Sequence, residues 1–279
     1  MNNFLPGLYI VSTPIGNLED ITLRALNVLK NSDKIICEDT RRSIKILNHF
    51  NIKKELIAYH KFNEKKLTPS IIRFINKGEK ISLISDAGTP LISDPGLLLL
   101  NECIQKKIKV FPIPGVSAVT TAMSVSNFGE QYYFHGFLPK KVSEVEKIIN
   151  ILKKYNFNIV FFIPAVKINF YIRIFKKHFE QRKIFIGREM TKMHETFYRE
   201  NLKNFDGFKA TIKGELTVVL SKNVEKYKLK EDNFDKDKLK VQIRKYLKRY
   251  SLKDVVSLIS EKNNLPKNKI YKLCLETKK

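Results

Sequence analysis

The sequence predicts an α/β protein whose strands end in loops suited to hold a small molecule. Segments typical of strands and of helices alternate along most of the chain, which favours mostly parallel sheets covered by helices. Two loops rich in glycine and proline, residues 82–96 and 112–118, follow neighbouring strand candidates. Glycine and proline let bare backbone approach a ligand at the tip of a strand. Together the two loops indicate a binding cleft at the carboxyl edge of a sheet.

The amino-terminal part of the chain reads as five strands alternating with helices. The segment 8–11 is a short apolar strand, and Asp20 or Thr22 can cap the amphipathic segment that continues through Asn31. The further strand candidates are 34–37, 56–59, 81–85 and 109–111, and the further helix candidates are 41–50, 71–76, 97–106 and 117–124. We therefore expect residues 1–128 to form a first α/β domain.

A second α/β domain is expected over residues 129–226. Its strand candidates are 132–135, 158–163, 183–188, 195–199 and 216–220, and its helix candidates are 142–155 and 167–177. Residues 227–237 are mostly charged, which indicates a linker. Apolar residues at helical spacing then predict three short helices, so that residues 227–279 form a linker and a small helical module: Leu239, Ile243, Leu247, Val255, Val256, Leu258, Ile259, Ile270, Leu273 and Leu275.

Composition and missing motifs disfavour several classes of protein. No apolar run approaches the roughly 20 residues that a membrane-spanning helix needs, and no signal peptide is visible, so we expect a cytoplasmic protein. Widely spaced Cys37, Cys103 and Cys274 indicate reduced thiols and no metal site. The loop 13–17 carries a single glycine, and a phosphate-binding P-loop motif is absent from the sequence, which disfavours dehydrogenases and nucleoside triphosphatases.

The charge of the chain is concentrated toward its carboxyl end. The net charge is +24, and residues 221–279 contain 18 Lys/Arg against 8 Asp/Glu. This tail is more than twice as basic per residue as the rest. The chain is rich in Lys, Ile and Asn and has no Trp, a composition that mutation bias toward A/T-rich codons also produces. Such a bias adds lysines to the solvated surface and accounts for part of the positive charge. The uneven distribution nevertheless favours a polyanionic partner.

Six ordered segments resemble the tetrapyrrole methylase superfamily. Residues 86–90 (DAGTP) and 114–118 (PGVSA) look like its S-adenosylmethionine loops. Four others are similar to the branch that methylates a cytidine ribose in small-subunit ribosomal RNA: 12–22 (STPIGNLEDIT), 38–42 (EDTRR), 135–139 (HGFLP) and 188–192 (REMTK). The resemblance covers about residues 7–220. It implies two α/β domains with S-adenosylmethionine in the cleft between them, 16S ribosomal RNA or the assembling 30S subunit as substrate, and a homodimer.

The resemblance and the chemistry of this cofactor together select nine cofactor-binding residues. A carboxylate and backbone carbonyls suit the sulfonium cation, and small or apolar residues suit the adenine. By resemblance, Ile15 lines the pocket, while Phe137 and Ile163 approach from the second domain. The loops of the first domain contribute Asp86, Gly88, Leu91, Ile92, Ser117 and Ala118. The sequence Asp94-Pro-Gly also fits an ordinary turn.

Three residues are candidates for catalysis. A ribose 2′-hydroxyl is a poor nucleophile, so we expect a base or a cation that stabilises the developing alkoxide. Asp39, after the second strand, can accept the proton, and Arg41 can bind phosphate or polarise the oxygen. Lys192 belongs to a polar segment that suits the rim of a substrate or cofactor site. His60 is a second choice as base, and Arg42 reads as a solvated helix residue.

One segment departs from the pattern of the relatives. They usually carry a sequence like Glu-Ser-Pro-His-Arg where this chain has Ile163-Pro-Ala-Val-Lys167. Two other functions therefore stay open: a small-molecule methylase of the tetrapyrrole type, and an RNA-binding protein that keeps the fold without catalysis. The basic tail disfavours the first, and the intact cofactor loops disfavour the second. Naked RNA and the assembled subunit are both possible substrates.

Overall fold

The computed structural model describes residues 4–223, 236–263, 265 and 267–278, which form two compact units. The larger unit ends at Lys222 and the smaller begins at Asn223. The predicted boundary at 128/129 falls inside the larger unit, between its two sheets, and remains a prediction. The predicted linker at 227–237 lies outside the described residues except for its last two, which belong to a helix.

The first sheet of the larger unit is fully parallel, as the alternation predicts. Its strands are β1 (Gly7–Val11), β2 (Lys34–Cys37), β3 (Glu55–Ala58), β4 (Lys80–Ile84) and β5 (Val110–Ile113), in the order β3-β2-β4-β1-β5. The helices on its faces are α1 (Leu23–Asn31), α2 (Thr40–His49), α3 (Glu64–Asn76) and α4 (Leu97–Gln105). Apolar clusters around Leu29 and Ile71 bury the two faces. All five carboxyl ends therefore meet at one edge.

The second sheet is mixed. Its strands are β6 (Tyr132–Phe137), β7 (Asn158–Pro164), β8 (Lys183–Arg188), β9 (Thr196–Asn201) and β10 (Glu215–Leu220), in the order β6-β7-β10-β8-β9. Only β6 and β7 run parallel; β10 is inserted antiparallel between β7 and β8. Helices α6 (Val142–Leu152) and α7 (Ile168–Phe179) cover one face, over a cluster that includes Phe161 and Phe175.

Helix α5 (Ala118–Ser126) joins the two sheets. It follows β5 of the first sheet, yet its Val119 and Ala122 pack with Val160, Phe185 and Val219 of the second. The same cluster takes in Ile15, from the loop after β1, and Met190, from the loop after β8. This packing holds the carboxyl edge of the first sheet against the second sheet.

The smaller unit consists, in its described residues, of α8 (Lys236–Leu247), α9 (Leu252–Asn263) and α10 (Lys267–Lys278). Most of the apolar positions predicted for these helices are buried in one cluster: Leu239, Ile243, Val255, Val256, Ile259, Ile270 and Leu273. Leu258 and Leu275 are about half exposed. The spacing of apolar residues therefore predicted the three helices and most of their core.

Helix α3 begins seven residues earlier than the sequence predicts, at Glu64 instead of residue 71. Proline lacks the N–H that a helix interior uses, and Pro69 lies in the part of the helix that was not predicted. Here the helix runs through Pro69, and Thr68 donates a hydrogen bond to the Glu64 carbonyl at 2.7 Å. No helix in the described part of the chain is long and apolar enough to cross a membrane.

Candidate active site

Three loops at the carboxyl edge of the first sheet are tied together by hydrogen bonds. Thr13, after β1, and Gly88, after β4, exchange backbone hydrogen bonds of 2.9 and 3.0 Å. The hydroxyls of Ser12 and Thr89 lie 3.0 Å apart, and Thr89 donates to the carbonyl of Val116, after β5, at 3.1 Å. The loops that the sequence singled out form one continuous wall.

The loop after β4 follows a backbone path that few side chains tolerate. Leu91 and Ser93 both have φ of 73°, in the left-handed region that non-glycine residues seldom occupy. Gly88 has φ of 80°, and a Cβ atom on it would lie 3.3 Å from Ile15. The Leu91 side chain packs against Gly96, where its Cδ2 is 2.9 Å from the position of a Cβ. The loop is thus held by its own packing.

A cavity of about 670 Å³ lies between these loops and the second sheet, a size typical of small-molecule sites. The structure brings eight of the nine predicted cofactor-binding residues into its wall: Ile15, Asp86, Gly88, Ile92, Ser117, Ala118, Phe137 and Ile163. Leu91 is not part of the wall, and neither are Asp39, Arg41 and Lys192. Residues that the sequence analysis did not select also line the cavity, among them Glu38, Arg42, Asp94 and 213–217.

Four carboxylate residues line the cavity: Glu38, Asp86, Asp94 and Glu215. Asp86 accepts the backbone N–H of Asp39 at 3.2 Å and pairs with Arg42 at 3.3 Å. Burial, helped by the nearby charge of Glu38, raises the pKa of Asp94 to about 6. Burial also raises the pKa of Glu38. The wall therefore offers negative charge to a cation and contains one carboxyl that titrates close to neutral pH.

The opposite wall, from the second sheet, is mostly apolar. The rings of Phe137 and Phe162 pack with centroids 5.4 Å apart, and Phe137 stays 57% exposed toward the open space. The segment 163–166 contributes only apolar side chains to it. Residues 213–217, at the start of β10, complete this wall. No local motif predicts that residues 213–217 belong to the site, because the central position of β10 in the sheet depends on pairing with strands that are distant in the sequence.

Asp39 and Arg41 form an exposed pair beside the cavity. Asp39 caps α2 and accepts hydrogen bonds from the Arg41 backbone N–H at 2.9 Å, from Nε at 3.0 Å and from Nη2 at 2.8 Å. These bonds from the Arg41 side chain and backbone lower the pKa of Asp39 to about 2. A carboxylate with so low a pKa is a weak proton acceptor. Its geometry suits binding and placement better than proton transfer.

Lys192 does not line the cavity, and its ammonium group is paired with two carboxylates. Its Nζ lies 3.1 Å from Glu189 and 2.9 Å from Glu215, a residue that does line the cavity. Burial disfavours its charge, but hydrogen bonds to both glutamates prevail and raise the pKa of Lys192. A Cβ atom on Gly16 would lie 2.4 Å from Lys192 Cγ. The loop after β8 therefore closes tightly on the loop after β1.

The residues of the cavity fit S-adenosylmethionine. Asp86 and Glu38 can face the positive sulfonium and ammonium groups, whereas Ile15, Ile92 and Phe137 offer apolar surface to an adenine. The bare backbone at Gly88 leaves room for a ligand to approach closely. Within the described ranges, no group of three or more His, Cys, Asp or Glu side chains is arranged to hold a metal ion.

Residues 7–206 match the family described as Tetrapyrrole (Corrin/Porphyrin) Methylases. Among curated proteins, the chain is 44% identical over 219 residues to the ribosomal RNA small subunit methyltransferase I of Thermotoga maritima, an alignment that covers 77% of this chain and 97% of the relative. It is 38% identical over 285 residues to the protein of the same name from Buchnera aphidicola, an alignment that covers 99% of both chains.

Solved structures with the same fold are more distant in sequence. Diphthine synthase superposes with a TM-score of 0.61 at 13% identity, over 77% of this chain and 89% of that one. The uroporphyrin-III C-methyl transferase of Thermus thermophilus, complexed with S-adenyl homocysteine, superposes with a TM-score of 0.55 at 12% identity, over 78% and 99%. The family match and the curated relatives show that this chain belongs to the tetrapyrrole methylases and, among them, to the ribosomal RNA small subunit methyltransferase I family.

Proposed function

We propose that this protein transfers the methyl group of S-adenosylmethionine to the ribose 2′-hydroxyl of a decoding-centre cytidine in small-subunit (16S) ribosomal RNA. The observation that carries the proposal is the cavity, which joins the Asp86 carboxylate, open backbone at Gly88 and an apolar wall. The substrate is supported by the name of the relatives that match most of this chain.

The protein's own part in this reaction is to align the reactants and to exclude water. S-Adenosylmethionine, when bound, supplies a methyl group on a sulfonium cation. Asp86 faces its positive end, and the loop of Ser117 and Ala118 closes the pocket opposite the β4 loop. The cofactor would contact the apolar side chains of the cavity wall: Ile15, Ile92, Phe137 and Ile163. Leu91 contributes through its packing on Gly96, which fixes the loop.

The predicted catalytic residues act at the border of the cavity. Asp39 and Arg41 place the RNA: the guanidinium of Arg41, 87% exposed at its side chain, is available to a phosphate. Lys192 acts on the site through Glu215, since its ammonium is taken up by the two glutamates. Its role is therefore to position the wall rather than to touch the reacting atoms.

The C-terminal unit adds affinity for RNA. Five exposed basic residues lie on α8, in the turn after it and at the start of α9: Arg244, Lys245, Lys248, Arg249 and Lys253. Lysines act mainly as point charges on phosphates and carry little sequence information.

The active form is proposed to be a cytoplasmic homodimer acting on ribosomal RNA or on the assembling 30S subunit. A folded RNA needs a wider surface than one cleft offers, and a second copy extends the basic surface around it. Light scattering at micromolar concentration tests this, because a dimeric mass is expected and a monomeric mass contradicts it.

The function is tested by incubating the purified protein with radiolabelled S-adenosylmethionine and either naked 16S RNA or 30S subunits. Nucleoside analysis of the RNA is expected to show 2′-O-methylcytidine. A small-molecule methylase would label neither RNA, and a non-catalytic RNA-binding protein would bind RNA without transferring label. The comparison of the two RNA substrates also identifies the preferred one.

A further inference from the structure

Asp94 is a cavity carboxylate that lacks an ion-pair partner. Among the described residues, Asp86 is engaged by Arg42 and Asp39 by Arg41, whereas no ion pair engages Asp94. The hydroxyl of Ser85, just after β4, donates to the carbonyls of Ala87 and Gly88 at 3.3 Å in the same loop. Asp94 lines the cavity beside Glu38 and Asp86, partly shielded from water. Asp94 is therefore a carboxylate that no described cation pairs with, in the wall of the cavity where the ligand is expected.

The loop holds Asp94 firmly. Its neighbour Ser93 has φ of 73° and packs against Gly136, at the irregularity in the pairing of β6 with β7. A Cβ atom on Gly136 would lie 2.9 Å from Ser93 Oγ, so only glycine leaves room for this contact. The second sheet thus supports the residue next to Asp94. Such support from a neighbouring element is what a group that transfers protons requires.

We propose that Asp94 is the general base of the methyl transfer, an assignment that rests on the proposed function. The Asp94 carboxylate takes the proton of the ribose 2′-hydroxyl while the ribose oxygen forms its bond to the methyl carbon. The bond from that carbon to sulfur breaks, and its electron pair stays on sulfur, which loses its positive charge. The protonated Asp94 afterwards releases its proton to water.

The electrostatics of the cavity favour Asp94 over Asp39 and Asp86. With a pKa raised to about 6, it is a stronger base than an ordinary aspartate and is still ionised at pH 7. Asp39, with its pKa lowered to about 2, is a far weaker base. Asp86 already uses both oxygens, on Asp39 and on Arg42. On the side of the first sheet, the charged groups that set the pH response of Asp94 are Glu38, Asp86 and Arg42, and His60 acts indirectly through Glu38. Lys213 and Glu215 lie across the cavity.

The test compares single-turnover methylation by the full-length wild type and three variants at saturating S-adenosylmethionine, from pH 5 to 8. Asp94→Asn should lower the rate constant by about a hundredfold or more, the usual contribution of a general base. The wild-type rate should rise with pH and level off above about pH 6, and this rise should be absent in Asp94→Asn. Glu38→Gln should move the midpoint to lower pH, because the neighbouring negative charge is gone. Asp39→Asn should leave the midpoint unchanged.

Two readouts without turnover accompany the kinetics. Calorimetry should give Asp94→Asn an affinity for S-adenosylmethionine close to that of the wild type. Carbon-13 NMR of the carboxyl groups in the ligand-free protein should show one resonance that titrates near pH 6 and is missing in Asp94→Asn.

The assignment is overturned if Asp94→Asn methylates RNA at a rate within about threefold of the wild type, or if its rate keeps the wild-type pH dependence. It is equally overturned if the variant loses cofactor affinity but reaches the wild-type rate at saturation, because Asp94 then serves binding. A wild-type protein that transfers no methyl group to RNA contradicts the proposed function and removes the assignment with it. An active wild type beside an equally active variant contradicts the assignment alone.

Discussion

Arg42 and Asp86 form an ion pair of 3.3 Å in the wall of the cavity. Arg42, which the sequence suggested to be a solvated helix residue, is 64% exposed at its side chain and still reaches the carboxylate. The pair leaves Asp86 oriented by two hydrogen-bonding partners, since Asp39 donates its backbone N–H to the other oxygen. Asp86 is therefore fixed in place before any ligand arrives.

Asp86→Ala is expected to weaken S-adenosylmethionine binding by about ten- to a hundredfold. The variant removes a charge-assisted contact, which contributes roughly 1.5–3 kcal/mol. Exposed Arg42 loses its partner at little cost, because surface ion pairs contribute little. Calorimetry on the purified protein measures the change. Glu180→Ala, which removes an exposed carboxylate after α7, is the control and should bind as the wild type does. Equal affinity in both variants would mean that the cofactor lies elsewhere.

Arg41→Ala and Asp39→Ala are expected to lower turnover while cofactor affinity stays nearly unchanged, as for groups that act on the substrate. Arg41→Ala should also let the pKa of Asp39 rise from about 2, because the side-chain hydrogen bonds are removed; the backbone N–H of residue 41 remains and should keep the pKa below the ordinary value near 3.9. Steady-state kinetics and a carboxyl NMR titration measure the two effects. Wild-type turnover in both variants would assign the pair a purely structural role.

Gly16→Ala is expected to disturb the cofactor site. The new methyl group would meet Lys192 Cγ at 2.4 Å and Thr191 Oγ1 at 2.7 Å, so the loops after β1 and β8 must separate. We expect a loss of roughly 1–3 kcal/mol in stability and weaker cofactor binding. Gly78→Ala is the control: its Cβ meets open space but its φ of +94° is strained for alanine. It should lower the melting temperature and leave cofactor affinity intact. Unchanged affinity in Gly16→Ala would show that this loop contact does not shape the site.

The parallel sheet and the cofactor loops could be predicted because their signals are local. Apolar segments of strand length alternate with amphipathic ones, and glycine and proline mark the loops. Asp86, Gly88, Ile92, Ser117 and Ala118 line the cavity for that reason, whereas the choice of Ile15, Phe137 and Ile163 depended on the resemblance. Leu91 does not line the cavity. Its φ of 73° lies in the left-handed region, which leucine seldom occupies, and this backbone conformation turns the side chain away from the cavity.

Other parts of the site depend on contacts between distant residues. Glu38 stands next to Asp39 in the sequence, but which of the two faces the cavity is decided by the cap of α2. Asp94 is concealed in a sequence that also fits an ordinary turn. The start of β10 reaches the site only through antiparallel pairing with β7 and β8. Such pairing leaves no local mark in the chain.

Asp94→Asn is expected to gain stability relative to the wild type as the pH rises. The pKa of Asp94 is about 6 in the folded protein and near 3.9 when unfolded, so between these values the folded state binds the extra proton. The wild type therefore loses stability as pH rises from about 4 through about 6, and asparagine cannot ionise. Melting temperatures from pH 4.5 to 7.5 measure the difference between the two proteins.

The matched control is Asp39→Asn. The pKa of Asp39 is lowered, so its contribution is present above about pH 4 and disappears only as pH falls toward 2. Its difference from the wild type should stay constant over the same range. A constant difference for Asp94→Asn as well would show that Asp94 has an ordinary pKa.

Replacing the five exposed basic residues at the α8–α9 junction with glutamine is expected to weaken RNA binding and to reduce its salt dependence: Arg244, Lys245, Lys248, Arg249 and Lys253. The slope of log affinity against log salt should fall by about 0.7–0.9 for each phosphate that the variant no longer neutralises. Cofactor affinity should not change. Filter binding at several salt concentrations measures the effect.

The control for the tail replaces five exposed lysines at the amino-terminal edge of the first sheet, opposite the cavity: Lys53, Lys77, Lys106, Lys107 and Lys109. This variant removes the same number of positive charges and should keep the wild-type salt slope. An equal decrease in RNA affinity in both variants would mean that the RNA responds to net charge and not to the C-terminal unit.

The central claim is ribose methylation of small-subunit RNA, and site-resolved mapping of 2′-O-methyl groups in cellular RNA tests it most directly. Cells that carry the gene, cells that lack it, and cells that carry only the Asp86→Ala form are compared. We predict a 2′-O-methylated cytidine at the decoding centre of the small subunit in the first cells, its loss in the second, and a reduced level in the third. An identical methylation map with and without the gene would contradict the account.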